Sequence, residues 1–281
     1  MPYPRTDLAL ELHERAAYNA PSSAGVTKEE LARGESTVTR IRVASGASDF
    51  GKPPGVYVTV RFPGFLSEQP PDAEQAKIIA EELSAILPKT GTVLVLGLGN
   101  AQITPDALGP RTVRHILTTR GRERLGGVQL REVCALAPGV FAQTGLEARE
   151  VLSGLLEQIH PTAVVAIDAL AAGDIARLGN TVQLTDAGIS PGSGVENSRP
   201  ELSADTLGVP VIAIGVPTVV DYNQEAESET VRPLSAAPSM FVTPRGIDLL
   251  TERAARLIAL AVNLALQPGL APEDLVYLTA E

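Results

Sequence analysis

Hydrophobic and polar residues alternate in two short stretches of the N-terminal third of the chain. These stretches are residues 36–43 and 56–62, and the alternation is typical of strands with one face covered. Over residues 73–87 the apolar positions instead recur at helical spacing. Asp72 stands where a helix N-cap is expected and Pro88 where the helix must end. The first third of the chain therefore contains both element types.

From residue 92 onward the apolar residues form continuous runs, as expected of parallel strands covered on both faces. Amphipathic helical segments lie between these runs. We predict strands at residues 92–98, 162–167, 181–184 and 209–214, and helices at residues 108–117, 147–159 and 248–266, with one weak helix earlier at residues 7–18. This alternation predicts an α/β fold, a three-layer αβα sandwich with a mainly parallel sheet. Such folds place their chemistry beyond the carboxyl ends of the strands.

The composition excludes several classes of function. The 281 residues include 23 Lys and Arg against 33 Asp and Glu, a net charge of −10, so we expect no direct binding of nucleic acid. The single cysteine, Cys134, excludes an intrachain disulfide and a zinc site built on several thiolates. The longest apolar stretch, residues 257–266, is interrupted by Asn263 and is too short to span a bilayer. We therefore expect a soluble, intracellular protein without membrane association.

Two aspartates stand near the ends of predicted strands. Asp106 follows the strand at residues 92–98, and Asp168 directly follows the strand at residues 162–167. Each has an ordinary explanation, because a carboxylate also stabilises the first turn of a helix or caps it. Together they suggest chemistry, since adjacent parallel strands lie about 4.8 Å apart. Two carboxyls at that range share a proton, so one can activate a water while the other polarises a carbonyl. That is peptide hydrolysis without a metal or another cofactor.

Other candidate features are less specific. The glycine-rich loop with Gly192, Ser193 and Gly194 either faces a substrate or is structural, and Asp221 after another strand is either a cap or a site residue. A dinucleotide-binding fingerprint fails because its third glycine would fall at Gln102. The three histidines are far apart in sequence, and none follows a buried strand. A histidine-based triad or metal site is therefore weakly supported.

Several segments together resemble a known family, the germination proteases of spore-forming bacteria. They occur in the family's order over nearly the whole chain: residues 5–9 (RTDLA), 97–100 (GLGN), 104–110 (TPDALGP), 137–140 (APGV), 144–145 (TG), 166–170 (AIDAL), 191–195 (PGSGV) and 215–221 (GVPTVVD). The resemblance implies an atypical aspartic endopeptidase whose fold is similar to that of the hydrogenase-maturation peptidases. Its two essential aspartates correspond to Asp106 and Asp168. Asn100, the loop at residues 192–194 and Asp221 would then bind substrate or form an active-site loop.

The resemblance also implies a biological setting. It implies a homotetramer in the cytoplasm of the spore core, stored as a zymogen, that digests small acid-soluble spore proteins during germination. The family's cleavage sites have Thr-Glu followed by an apolar residue, Ala, Ser and Glu. Residues 6–11 (TDLALE) look like such a site within this chain. We therefore predict self-cleavage between Asp7 and Leu8, which divides the chain into a short propeptide, residues 1–7, and one peptidase domain, residues 8–281.

Three alternatives stay open at this stage. The related maturation peptidases hold nickel with a Glu, an Asp and a His, and Asp106 and Asp168 could fill the first two of these roles. No His after the later strands supplies the third. The second alternative is a nucleotide-binding oxidoreductase, against which the missing glycine speaks. The third is a non-catalytic oligomeric binding protein that retains the fold. The acidic stretch at residues 221–239 receives no assignment.

Overall fold

The computed structural model of the protein describes residues 6–19, 25–47, 50–195, 199–222 and 240–280. The helices are α1 (Ala9–Asn19), α2 (Ala73–Ile86), α3 (Leu108–Arg114), α4 (Phe141–Thr144), α5 (Ala148–Ile159), α6 (Ala204–Leu207), α7 (Ile247–Leu266) and α8 (Pro272–Leu278). The strands are β1 (Val26–Arg33), β2 (Ser36–Val43), β3 (Gly55–Arg61), β4 (Val93–Gly97), β5 (Arg124–Leu125), β6 (Val128–Gln129), β7 (Val133–Leu136), β8 (Ala163–Ala172), β9 (Thr181–Thr185), β10 (Val211–Tyr222) and β11 (Met240–Val242).

One large sheet organises the molecule, with the strand order β1-β2-β3-β9-β10-β8-β4-β7 and with β11 added to the end of β10. The strands β10, β8, β4 and β7 run parallel to one another. On the other side of β10, antiparallel pairings attach β9, β3, β2 and β1 in turn. The carboxyl end of β4, at Gly97, lies level with Ile167 of β8, and the two candidate aspartates are expected beside this end of β4.

Helices cover both faces of this sheet. The largest group of buried apolar residues joins α2, α3 and α7 to one face, with Leu83, Leu108 and Ile258 fully buried. On the opposite face α5 packs against β4 and β8 through Leu152, and α1 packs against β2 and β3. These apolar contacts bury the continuous hydrophobic runs of the central strands from both sides. The three-layer α/β sandwich with parallel strands at the centre of its sheet is thus confirmed.

Every helix and strand predicted from the sequence overlaps an observed element of the same type. The boundaries agree well where the local signals are strong. Asp72 caps α2, where its side chain accepts a hydrogen bond from the backbone of Glu74, and the predicted strand at residues 36–43 is β2. Helix capping and strict alternation depend only on residues that are close in the sequence, so the elements they mark can be predicted without knowledge of the tertiary structure.

Two predicted strand ends are wrong. Asp168 was expected directly after its strand, and Asp221 in a loop, but β8 continues to Ala172 and β10 to Tyr222. The two strands extend each other, because their parallel pairing runs as far as Val220 and Ala172. Both aspartates are therefore strand residues. The propeptide residues 1–5 and the unassigned residues 223–239 lie outside the part of the chain that the structure describes.

Candidate active site

A cleft of about 660 Å³ opens beyond the carboxyl end of β4, alongside the middle of β8 and β10. Asp106 and Asp168 both line it, so the structure brings together the two carboxyls that the sequence singled out. Asn100 and the loop residues Gly192, Ser193 and Gly194 line the same cleft. These six residues come from three separate segments of the chain, the turn after β4, strand β8 and the loop after β9, which the fold brings together.

Asp106 is held by the turn that connects β4 to α3. It ends a short 3₁₀ helix, Thr104–Asp106, and one of its carboxylate oxygens, Oδ2, accepts a hydrogen bond of 2.7 Å from the backbone N–H of Asn100. Burial raises the pKa of the Asp106 carboxyl, and the hydrogen bond from Asn100 opposes that shift. Asn100 is itself oriented, since its side-chain oxygen accepts hydrogen bonds from the backbone of Gln102 and the side chain of Gln143.

Asp168 lies inside β8, directly opposite Gly215 of β10. Only 5% of its surface is exposed, and its Oδ1 accepts a hydrogen bond of 2.9 Å from the backbone N–H of Ala169. Burial raises the pKa of the Asp168 carboxyl well above its usual range, and the negative charges of Asp106 and Asp7 raise it further. Of the two cleft carboxyls, Asp168 is therefore the one that keeps its proton to higher pH.

A close contact between α3 and the sheet places the segment that carries Asp106 beside the strand that carries Asp168. Gly109, in the first turn of α3, packs against the backbone of Leu98 and the carbonyl oxygen of Ile167, where a Cβ atom would collide with both. The backbone N–H of Leu98 also donates to the carbonyl of Ile167 over 2.8 Å. The turn that carries Asp106 is thus held directly against β8, next to Asp168.

The N-terminal segment forms part of the cleft wall. The backbone N–H of Asp7 donates to the carbonyl of Ala171 over 2.9 Å, and the side chain of Gln183 donates to the Asp7 carbonyl and accepts from the backbone N–H of Ala9. Leu8 is fully buried between these two anchored residues. Residue 7, the predicted cleavage position, accordingly lines the same cleft as Asp106 and Asp168.

Gln183 and Lys52 are among the cleft residues that sequence reasoning missed. Gln183 is a buried polar side chain between Val182 and Leu184 in the fully buried strand β9, and an amide between two apolar residues is the signal that could have identified it. Lys52 gave no local signal, because it lies in a glycine- and proline-rich turn before β3. Burial lowers the pKa of Lys52, and the negative charge of Asp7 opposes that shift. Lys52 therefore brings a cation to the side of the cleft where Asp7 lies.

Asp221 does not join the cleft. It is buried on β10 opposite Phe241 of β11, and it is absent from the described residues that line the cavity. Within the described ranges, no three His, Cys, Asp or Glu side chains are grouped so that they could hold a metal ion. No helix in that part of the chain combines the length and the apolar character needed to cross a membrane.

Comparison with known proteins gives consistent matches. A family profile described as germination protease matches residues 5–232. The chain is 39% identical to the germination protease of Caldanaerobacter subterraneus, with 96% of each chain covered, and 34% identical to that of Clostridium perfringens, with 96% of this chain and 97% of the relative covered. Among solved structures, the hydrogenase maturation protease HycI of Thermococcus kodakarensis matches 66% of this chain and 98% of its own, at 18% identity and a TM-score of 0.37.

Proposed function

Because the chain belongs to the germination protease family, and is thus a peptide hydrolase of spore germination, we propose that it is an atypical aspartic endopeptidase whose catalytic group is the pair Asp106 and Asp168. The observation that carries this proposal is the placement of two buried carboxyls with raised pKa values in one cleft. Carboxyls displaced from their ordinary pKa in a cleft are typical of acid–base catalysis.

The two carboxyls take different roles because their pKa values are shifted by different amounts. Asp168 holds the shared proton, and Asp106, which accepts the Asn100 N–H, is the ionised partner. Asp106 removes a proton from water as the water oxygen bonds to the peptide carbonyl carbon, and Asp168 protonates the carbonyl oxygen. When the C–N bond breaks, Asp106 passes its proton to the leaving nitrogen and the hydroxyl returns a proton to Asp168. The pair thus returns to its starting state.

The proposed substrates are small acid-soluble spore proteins, degraded in the cytoplasm of the spore core by a homotetramer. The net charge of −10 fits an enzyme that removes such proteins from DNA without binding the DNA itself. We also propose that the chain is a zymogen that cleaves itself between Asp7 and Leu8. This is supported by the position of Asp7 in the cleft that Asp106 and Asp168 line.

Self-cleavage provides the test. We expect purified wild-type protein, incubated at mildly acidic pH, to lose residues 1–7 as measured by intact mass, because the Asp pair then keeps its shared proton. Asp106→Asn retains the size of the side chain but removes the base, so the loss of residues 1–7 should slow by roughly 10³-fold. Asp205→Asn, at an exposed position in α6, is the matched control and should process at the wild-type rate.

Equal processing by Asp106→Asn and wild type would contradict the assignment of the catalytic pair. If neither protein loses residues 1–7, the proposed self-cleavage fails. The same proteins are then given a peptide that copies residues 2–13. Cleavage of that peptide by wild type alone would retain the peptidase assignment, and no cleavage by either would favour a non-catalytic binding protein.

A further inference from the structure

The side chain of Asp7 occupies a compact set of hydrogen-bond donors on the cleft wall. Its Oδ2 accepts from the backbone N–H of Ala171 over 2.9 Å, and its Oδ1 accepts from the hydroxyl of Ser193 over 3.0 Å. A Cβ atom on Gly194 would overlap Oδ2, so the missing side chain there makes room for the carboxylate. We name these three residues, Ala171, Ser193 and Gly194, the carboxylate cradle.

The cradle matches a carboxylate better than it matches a neutral amide. It presents one N–H and one O–H to two different oxygens of the same group, an arrangement that a carboxylate satisfies with both oxygens accepting. An amide could accept from only one of the two donors with its oxygen, and Ser193 would have to turn its hydroxyl to accept from the NH₂ group, which loses the charge-assisted bonds that a carboxylate makes. Lys52 lines the same cleft within range of the Asp7 charge, so a cation lies on the side of the cleft where the cradle holds its carboxylate.

The residue after Asp7 is recognised by different chemistry. Leu8 is fully buried and packs against Leu170, Ala172 and Val220 at the ends of β8 and β10. The cleft wall therefore offers two adjacent positions, the carboxylate cradle for an acidic residue and an apolar position for the residue that follows it. If residues 1–7 leave, the donors of the cradle lose their present acceptor and face the cleft.

We propose that the carboxylate cradle is the specificity site of the peptidase: it binds the acidic side chain on the amino side of the substrate bond to be cleaved, and Asp7 occupies it as an internal stand-in. This inference rests on the proposed function for its link to cleavage. Ser193 and Gly194 are then specificity-determining residues. The alternative is that the same contacts only anchor the N-terminal segment to the domain.

Peptide cleavage separates these two roles. Full-length protein is incubated until intact mass shows the loss of residues 1–7, and kcat/KM is measured for the peptide of residues 2–13 and for its counterpart with Asn in place of Asp7. We expect wild type to prefer the acidic peptide by about tenfold, the typical contribution of a hydrogen bond to a charged group. Ser193→Ala, which removes one donor, and Gly194→Ala, which fills the cradle, should reduce that preference to about twofold.

Ser190→Ala is the matched control, because Ser190 contacts Ser193 through its backbone carbonyl and that contact survives the substitution. It should keep the wild-type preference. An acidic preference that persists unchanged in both Ser193→Ala and Gly194→Ala would overturn the proposal. So would a wild-type enzyme that cleaves both peptides equally well, because the cradle would then serve as an anchor only.

A second measurement needs no catalytic activity. In full-length Asp7→Gly the cradle lacks its carboxylate, and acetate has the size of the group removed. We expect acetate, and not acetamide, to raise the thermal midpoint of Asp7→Gly, and we expect Ser193→Ala in the same protein to abolish the rise. If wild type cleaves no peptide, the proposed function fails, but the acetate measurement still tests whether the cradle selects a carboxylate. Equal effects of acetate and acetamide would overturn the proposal for the cradle.

Discussion

Replacing Asp168 with Asn should abolish peptide hydrolysis and at the same time stabilise the protein. The loss of activity should be about 10³-fold, because Asn cannot deliver the proton that Asp168 supplies to the carbonyl oxygen. The gain in stability has a separate cause. Burial raises the pKa of Asp168 well above that of an exposed aspartate, so near neutral pH the fold must keep a proton on Asp168 or bury its charge. A neutral amide of the same size removes that cost.

The sign of the pH dependence follows from the raised pKa. The proton that Asp168 retains in the folded state stabilises it fully at low pH, and this stabilisation is lost as the pH rises through the folded-state pKa. The thermal midpoint of Asp168→Asn should therefore exceed that of wild type by roughly 3 °C at pH 8 and converge with it near about pH 4. Calorimetry at both pH values measures the difference.

Asp174→Asn is the control for the Asp168 substitution. Asp174 follows the same strand and caps a 3₁₀ helix, a role that Asn fills equally well. Activity and pH dependence of stability should therefore match wild type in this variant. An Asp168→Asn protein that is inactive but less stable than wild type at pH 8 would contradict the electrostatic account, because the loss of activity would then follow from damage to the fold.

Gly109→Ala should damage both the fold and the site. The added Cβ would collide with the backbone of Leu98 and with the carbonyl oxygen of Ile167, none of which can rotate away. We expect a loss of about 3 kcal/mol in the free energy of unfolding, near the upper end for overpacked positions. Because α3 must move and the turn carrying Asp106 moves with it, kcat/KM should also fall by about 10²-fold. Urea unfolding and peptide cleavage measure the two effects.

A second glycine-to-alanine change separates crowding from the intrinsic effect of the substitution. Gly154 lies exposed within α5, and a Cβ added there meets no atom within 4 Å. Gly154→Ala should therefore increase the free energy of unfolding by about 0.5–1 kcal/mol, as helix propensity requires, and leave cleavage unchanged. A Gly109→Ala protein that behaves like Gly154→Ala would show that the contact between α3 and the strand ends does not position Asp106.

The sequence was most informative where a signal is local. The N-cap Asp72, the alternation over β2 and the apolar run of β4 each predicted an element of the right type and nearly the right length. The same logic placed Asp106 and Asp168 in one cleft, because parallel strands end at a common edge. The pairing of strands that are distant in the chain could not be predicted from the sequence. The antiparallel strand β1 is exposed and highly charged, and it exists because β2 offers it a partner.

The details of the site depend on contacts that no local pattern encodes. The extension of β8 past Asp168 results from its pairing with β10. The position of Asp7 in the cleft results from hydrogen bonds to Ala171 and Ser193, which are 164 and 186 residues away in the chain. Asp221 is the opposite case. Its sequence context resembles that of a site residue, but it is buried beside β11. The sequence motifs therefore identified candidate site residues, but the folded sheet determines which of these residues lie together.

The pH dependence of kcat/KM for the peptide of residues 2–13 tests the central claim most directly. If Asp106 and Asp168 work with one shared proton, the rate should follow a bell-shaped dependence on pH, with its alkaline limb displaced upward by the raised pKa of Asp168. It should fall on the acid side as Asp106 takes up a proton and on the alkaline side as Asp168 loses its own. A rate that rises with pH and then stays constant to about pH 9 would contradict the account, because the fully ionised pair would then be active.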